Sequence, residues 1–291
     1  MSTRKPDWLK KRIKLTSSIH DTETLLKLAG LSTVCQSAVC PNMCECFSKG
    51  VATFLIMGNV CTRNCRFCAI ESGQPLPLDD TEPDRLAEAA LKLDLQHVVI
   101  TSVTRDDLED GGAAHFADCI KSIKNLAPDI TVEVLTPDFL GSKESILTVI
   151  NADPEVFNHN LETVPSLYRE VRPMANYKIS LEILRHAKSL SPTTMTKSGI
   201  MLGLGESFIE VRNVLEDLKD ISCDMITIGQ YLQPTEQHIG VKEYVAPETF
   251  EDFKKLAYEI GFVHVESSPF VRSSFNAYES YANSTQKIKQ S

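Results

Sequence analysis

Residues 51–68 read Val-Ala-Thr-Phe-Leu-Ile-Met-Gly-Asn-Val-Cys-Thr-Arg-Asn-Cys-Arg-Phe-Cys, a short apolar run followed by a loop rich in cysteine. The apolar part, Val51–Met57, has the length and composition of a buried strand. Three thiols then follow on one short loop, at Cys61, Cys65 and Cys68. In α/β barrels the functional groups lie at the carboxyl ends of the strands, so this loop is the first candidate for a functional site.

Strand and helix patterns alternate along the rest of the chain. The predicted strands are Val51–Met57, His97–Val103, Ile130–Leu135, Val156–Asn160, Thr194–Leu202, Met225–Tyr231 and Phe262–Glu266. The predicted helices are Pro83–Leu93, Ala113–Leu126, Lys143–Ile150, Tyr177–Leu190, Phe208–Leu218 and Pro247–Ile260. This order predicts an α/β fold with helices outside a parallel sheet, either an open doubly wound sheet or a barrel.

Length and composition exclude several classes of protein. The chain has 291 residues, of which 42% are hydrophobic and 24% charged, as in an ordinary packed globular protein. No apolar run reaches ~18 residues, so we expect no membrane-spanning helix. The net charge of -9 disfavours general binding to nucleic acid. Met1–Leu15 contains no apolar signal core, so we expect a cytoplasmic protein.

The nine cysteines are clustered, since all but Cys119 and Cys223 lie between Cys35 and Cys68. In a protein without an export signal, clustered thiols indicate metal ligands or redox chemistry. The C-x3-C-x2-C triplet from Cys61 can hold three irons of a cubane cluster and leave the fourth open to a small molecule. A zinc knuckle is the structural alternative, although zinc ribbons usually pair two C-x2-C units.

With Phe67 in the aromatic position, the loop resembles the C-x3-C-x-aromatic-C motif of the radical S-adenosylmethionine (SAM) superfamily. The resemblance implies a partial (β/α)6 TIM-type barrel and a [4Fe-4S] cluster whose open iron is chelated by SAM. It also implies one-electron cleavage of SAM to a 5′-deoxyadenosyl radical that removes hydrogen from an unactivated carbon. Arg63 and Arg66 add positive charge that favours thiolates and an anionic cluster.

A second triplet narrows the resemblance. Cys35, Cys40 and Cys46 have the spacing C-x4-C-x5-C around a Cys-Pro-Asn core, which is similar to the auxiliary-cluster motif of the lipoyl synthase family. Cys44 is an extra thiol inside this segment, so spacing alone leaves the set of three ligands open. Phe47 stands where that family usually has tryptophan.

The carboxyl-terminal segment Val271-Arg-Ser-Ser-Phe resembles the Arg-Ser-Ser-Tyr element of the same family, with Phe275 in place of tyrosine. The resemblance implies that a serine oxygen is the fourth ligand of the auxiliary cluster. Motif position puts this ligand at Ser274, with Ser273 as the alternative. An alkoxide is a weaker tether than a thiolate, which suits a cluster that is dismantled.

The resemblance extends over nearly the whole chain, from about Pro6 to Ala277. Further matching segments are residues 101–113, 157–162, 168–173, 197–206 and 230–235. We expect residues 1–50 to form an extension with the auxiliary-cluster cysteines and residues 51–267 to form the barrel. Residues 268–291 would then be a terminal segment with the serine ligand.

Polar residues near the predicted strand ends are candidates for cofactor binding, as is Phe67 in the loop. Arg105 and Arg172 can hold a carboxylate with a bidentate fork. Asn160 and Glu162 can bond ribose hydroxyls or an ammonium group. Each has a structural alternative: Arg105 can pair with one of the two aspartates that follow it, and Glu162 can cap a loop.

The family resemblance implies insertion of two sulfur atoms at C6 and C8 of a protein-bound octanoyl group. The cofactors would be two [4Fe-4S] clusters, the auxiliary one consumed as sulfur donor, and two SAM per product. The implied partners are octanoylated lipoyl carrier domains of 2-oxoacid dehydrogenase or glycine cleavage complexes, and an electron donor such as ferredoxin or flavodoxin. The alternatives are a biotin-synthase-like or methylthiolating radical SAM enzyme, an iron–sulfur electron carrier, and a zinc-binding structural protein.

Overall fold

A curved sheet forms the centre of the computed structural model, which describes residues 5–10, 24–34, 42, 45–46 and 51–290. Its strands are β1 (Ser32–Thr33), β2 (Val51–Ile56), β5 (His97–Ser102), β6 (Thr131–Leu135), β7 (Val156–Asn158), β8 (Met195–Leu202), β9 (Met225–Gln230) and β10 (His264–Ser267), while β3 (Val60–Cys61) and β4 (Glu71–Ser72) form a separate pair. The order is β1-β2-β5-β6-β7-β8-β9-β10; β1 is antiparallel to β2 and the other neighbours are parallel. Within the described residues this order runs from edge to edge without closing, so the barrel is partial.

Helices connect the parallel strands along the chain, and one more follows the last strand. They are α1 (Glu82–Lys92), α2 (Ala113–Leu126), α3 (Lys143–Ile150), α4 (Tyr168–Val171), α5 (Tyr177–Leu190), α6 (Phe208–Asp220), α7 (Pro247–Ile260) and α8 (Ala277–Gln290). Strand residues such as Phe54 and Ile100 share one buried core with helix residues such as Leu86 and Phe116. All seven predicted strands and all six predicted helices are present, which confirms the α/β fold and favours the barrel over the flat sheet.

Local signals explain where several helices begin and end. Ser207 and Glu210 form a reciprocal capping box at the start of α6, which satisfies backbone N–H groups that the first turn leaves free. Helix α7 begins at Pro247 and ends at Gly261, whose φ of 107° lies in the left-handed region that glycine adopts without strain.

The last helix, α8, lies against the amino-terminal ends of the strands. Its Ala277 contacts Val99 of β5, and Tyr281 stacks on His97 with ring centroids 6.3 Å apart. The sequence predicted no helix here. The opposite, carboxyl-terminal end of the barrel carries the loop with Cys61, Cys65 and Cys68.

The barrel interior contains a buried ion pair. Lys197 of β8 donates to both carboxylate oxygens of Glu133 of β6, at 2.9 and 3.1 Å, and Asn158 of β7 donates to the same carboxylate at 2.9 Å. Burial alone would raise the pKa of Glu133, but the contacts with Lys197, His97 and Asn158 together outweigh it and lower the pKa to about 2. The pair fills the interior without leaving an uncompensated charge.

Among the described helices, none is long and apolar enough to cross a membrane.

Candidate active site

The three-cysteine loop, residues 61–68, is held in place by backbone hydrogen bonds from three directions. Thr62 N–H donates to the Thr104 carbonyl at 3.0 Å, and Arg66 N–H donates to the Val171 carbonyl at 2.9 Å. On the third side, the N–H of Ile239 donates to the Arg66 carbonyl at 3.0 Å. The loop is therefore fastened to segments that follow β5, β7 and β9.

Two side chains add to this support. His238 has its Nε2 atom 2.9 Å from the carbonyl oxygen of Cys68, and its Nδ1 atom 2.8 Å from the hydroxyl of Thr235. Phe67 packs against a small apolar cluster that includes Val171 and Tyr231. The aromatic residue of the motif therefore anchors the loop through apolar contact.

The three thiols have different surroundings. The sulfur of Cys61 accepts hydrogen bonds from the backbone N–H groups of Arg63, at 3.4 Å, and Thr104, at 3.3 Å. Burial raises the pKa of Cys65, and the Arg172 guanidinium opposes part of the rise. Burial also raises the pKa of Cys68, to about 11. Cys65 and Cys68 are thus neutral thiols near pH 7 until a metal displaces their protons.

A polar group lies beside the loop, at the end of β7. Asn160 donates from Nδ2 to the Glu162 carboxylate at 3.0 Å and to the Ser273 hydroxyl at 2.5 Å. Arg172 donates from Nη1 to the carbonyls of Asn160 and Leu161, at 3.0 and 3.2 Å. Glu162 has a φ of 68°, which costs energy for a residue with a Cβ atom and often marks a functional site.

Several buried polar atoms of these residues lack hydrogen-bond partners within the described part of the chain. They are Asn160 Oδ1, Arg172 Nε and Arg105 Nη1. Arg105 uses the other edge of its guanidinium to pair with Asp107, at 2.9 Å from Nε and 2.8 Å from Nη2. Unpaired buried polar atoms are costly, so a polar ligand at this position would stabilise the folded chain.

The two candidate serine ligands lie in different surroundings. Ser273 accepts the hydrogen bond from Asn160, whereas the Ser274 hydroxyl accepts one from the Thr53 hydroxyl of β2 at 2.8 Å. Among the predicted auxiliary-cluster cysteines, Cys46 is half-buried and its N–H donates to the Asn42 carbonyl at 2.9 Å. Cys35, Cys40 and the extra thiol Cys44 lie outside the described residues.

The donor set of the loop suits an iron–sulfur cluster. A cubane cluster takes one thiolate at each of several irons, and Cys61, Cys65 and Cys68 lie together on one short loop.

Comparison with known proteins agrees with this geometry. The model of the Radical SAM superfamily matches residues 55–218 of this chain. The solved structure of methylornithine synthase aligns with a TM-score of 0.58 over 87% of this chain and 82% of that chain, at 15% identity, which supports the fold. The barrel and the three-cysteine loop are those of a radical SAM enzyme.

Curated relatives define the family more closely. The lipoyl synthase of Caldanaerobacter subterraneus subsp. tengcongensis is 59% identical over 277 residues, which cover 95% of this chain and 97% of that protein. The lipoyl synthase of Caldicellulosiruptor saccharolyticus is 54% identical over 279 residues, with 96% and 98% covered. This chain belongs to the lipoyl synthase family.

The chain is therefore a radical SAM sulfurtransferase that uses a [4Fe-4S] cluster and SAM and acts on an octanoylated carrier. The prediction from the two cysteine triplets is confirmed at the level of family and activity. The electron-carrier and zinc-protein alternatives are set aside by the same findings.

Some residues of the site were not predicted from the sequence. Arg63 was expected to lend its charge to the thiolates, but its guanidinium is paired with Asp106 and Asp138. Asp106 lies shortly after β5 and Asp138 shortly after β6. Carboxylates near the ends of two neighbouring strands were therefore the sequence signal that could have identified these partners of Arg63. His238 lies 170 residues from Cys68, and no local pattern relates the two.

Proposed function

We propose that Cys61, Cys65 and Cys68 hold the [4Fe-4S] cluster to which SAM binds. The observation that carries this proposal is the position of the three thiols on one fixed loop, beside buried polar atoms that lack partners. Bound there, the cluster and SAM supply the hydrogen-abstracting radical that unactivated C–H bonds require.

The neighbouring side chains fit the polar groups of SAM. The Glu162 carboxylate and Asn160 Oδ1 accept hydrogen bonds from its ammonium group or ribose hydroxyls. Arg172 Nε and Arg105 Nη1 are donors for its carboxylate. Phe67 keeps the loop against its apolar support, so the thiols stay at a constant distance from these groups.

Hydrogen-atom abstraction needs no general base, and the contacts of His159 are those of a structural residue. Its two ring nitrogens contact the Thr136 carbonyl, at 2.9 Å, and the Ser180 hydroxyl, at 3.0 Å. Both ring nitrogens are therefore used in hydrogen bonds, and one of these holds the end of β7 against helix α5. A reactive carbon radical needs exclusion of water more than proton transfer.

A second [4Fe-4S] cluster, the sulfur-donating substrate, is proposed for Cys35, Cys40, Cys46 and Ser274. Asn42, two residues after Cys40, donates to the Phe270 carbonyl at 2.6 Å. Asn42 is thus a neighbour of the residues that precede the serine segment. This supports a division into an extension (1–50), a barrel (51–267) and a terminal segment (268–291), with two SAM consumed per lipoyl group, one for each C–H bond.

Three further proposals concern the surroundings of the enzyme. The electron donor is a low-potential carrier such as ferredoxin or flavodoxin, because each SAM cleavage consumes one electron. The octanoylated carriers are lipoyl domains of 2-oxoacid dehydrogenase or glycine cleavage complexes. A cluster of free thiols fits a reducing compartment such as the cytoplasm.

The test uses the full chain, reconstituted without air and incubated with SAM, reductant and an octanoyl-lysine peptide. We expect Cys68→Ala to abolish release of 5′-deoxyadenosine and Cys40→Ala to keep part of it while sulfur insertion stops. Cys119→Ala, which changes a buried cysteine of α2, is the control and should retain both activities. Equal loss of both activities in the two site variants would contradict the assignment.

A further inference from the structure

Arg63 lies within the three-cysteine loop, and its side chain is 4% exposed. The guanidinium contacts two carboxylates at once. It donates to Asp106 from Nε at 2.7 Å and from Nη2 at 2.9 Å. It also donates to both oxygens of Asp138, from Nη1 and Nη2, each at 2.6 Å. One side chain therefore ties the loop to segments that follow two adjacent strands, β5 and β6.

The charges of this group show that Arg63 does not lend its charge to the thiolates. Two carboxylates face one guanidinium, so the group as a whole carries an excess negative charge. The paired guanidinium is instead suited to fixing geometry, because its planar fork reaches two carboxylates in defined directions. A lysine ammonium has no such fork.

The backbone around this group directs two N–H groups at one sulfur. The N–H of Arg63 and the N–H of Thr104 both point to Cys61 Sγ, at 3.4 and 3.3 Å. Thr62 joins Thr104 to the loop, because the N–H and the hydroxyl of Thr62 both donate to the Thr104 carbonyl at 3.0 Å. The hydroxyl of Thr62 in turn accepts the N–H of Asp106 at 3.1 Å. The ion pairs and these backbone bonds therefore act on the same small region.

We infer that Arg63, Asp106 and Asp138 form a positioning clamp that keeps two amide N–H groups on the Cys61 sulfur and so sets the reduction potential of the bound cluster. Hydrogen bonds to cluster sulfurs are one of the features that set this potential, because they stabilise the more negative, reduced state. The inference rests on the proposed role of Cys61 as a cluster ligand. Arg63, Asp106 and Asp138 are positioning residues that act through the loop.

The test compares Arg63→Lys with the unchanged protein, both reconstituted anaerobically as full chains. We expect the cluster to form but to become harder to reduce. At a fixed reducing potential the ratio of reduced to oxidised cluster, measured by electron paramagnetic resonance, should fall about tenfold, equivalent to about 59 mV for one electron. Iron release to a chelator should be ~10-fold faster or more, as for other residues that support metal ligands.

Arg85→Lys is the matched control, because Arg85 pairs with Asp79 at 2.6 Å outside the three-cysteine loop. It should leave the potential and the iron release unchanged. If Arg63→Lys fails to take up iron, the same two measurements are made on Asp106→Asn. This variant weakens one arm of the clamp and retains an acceptor oxygen. A normal potential and normal iron release in whichever variant loads would overturn the clamp.

This outcome is separable from failure of the underlying assignment. If Cys61→Ala still binds the SAM-cleaving cluster, the proposed ligand set is wrong, and the clamp with it. If Cys61→Ala loses that cluster while Arg63→Lys keeps a normal potential and normal iron release, the ligand set stands and the clamp alone is refuted.

Discussion

At the scale of single residues, Ser273 and Ser274 differ in what they contact. Ser274 is bonded to the Thr53 hydroxyl of β2, and Ser273 to Asn160 beside the proposed SAM site. We expect Ser274→Ala to lower sulfur insertion by about 10-fold or more while SAM cleavage continues. Ser273→Ala should instead raise the KM for SAM. Product mass spectrometry and release of 5′-deoxyadenosine measure the two effects.

Unchanged sulfur insertion in Ser274→Ala would move the fourth ligand to Ser273 or to Cys44. Ser284→Ala in helix α8 is a suitable comparison, because Ser284 is buried and its hydroxyl donates to the Ser280 carbonyl within the same helix. That variant should leave both activities near their original level.

His159 makes the stability of the fold depend on pH. Burial lowers its pKa to about 4, from about 6.5 in an unfolded chain. Between these values the unfolded chain binds a proton that the folded chain does not, so stability falls as the pH is lowered through this window. The loss amounts to at most about 3 kcal/mol. Urea unfolding at pH 7 and pH 5 measures the part of this loss that falls between the two pH values, about 2 kcal/mol.

The control for this prediction is His159→Gln, which keeps hydrogen-bonding groups and removes the titration. Its free energy of unfolding should change less between the two pH values than that of the unchanged protein. An equal change in both proteins would assign the pH dependence to other groups.

At the scale of elements, periodicity predicted the parts of the chain that pack against the sheet. The bounds of α2, α3 and α7 agree with the prediction because their apolar residues repeat at helical spacing. Helix α8 was missed, since its sequence contains serine, asparagine and threonine and presents small residues and tyrosines to the barrel. Helix α4 has four residues, too few for a periodic pattern.

Tyr281 is the residue through which α8 closes the amino-terminal end of the barrel. It stacks on His97 and contacts Met195 and Met225. We expect Tyr281→Ala to lower the free energy of unfolding by about 2 kcal/mol, less than for a fully buried aromatic residue. Tyr281→Phe keeps the ring and should cost little. Thermal unfolding of both variants without cofactors measures this, and equal melting temperatures would mean that the stacking contributes nothing.

At the scale of the whole molecule, the sequence showed which residues carry chemistry but not how distant segments meet. The cysteine spacing was informative because ligands on one loop are local in sequence. The contacts of Cys68 with His238, and of Arg63 with Asp106 and Asp138, depend on strand order and register, which no local pattern contains. The fold was therefore largely predictable, whereas the supports of the site were not.

The contact between Asn42 and Phe270 joins the cysteine-containing extension to the carboxyl-terminal segment, across 228 residues of sequence. Asn42 is 2% exposed, and its carbonyl also accepts the N–H of Cys46. If the auxiliary cluster lies between these two segments, loss of the Asn42 side chain should disturb that cluster and leave the three-cysteine loop intact. We expect Asn42→Ala to lower sulfur insertion at least several-fold while it retains most SAM cleavage, and to cost about 1 kcal/mol of stability.

Asn151→Ala, at the exposed end of helix α3, is the matched control and should change neither activity. The measurements are iron content after anaerobic reconstitution, 5′-deoxyadenosine release and lipoyl product. Because the two proposed clusters use separate ligands, iron in Asn42→Ala should fall toward half of the full content. Full iron content with normal sulfur insertion would mean that the contact between Asn42 and Phe270 does not support the sulfur-donating cluster. Parallel loss of both activities would mean that this contact supports the whole barrel.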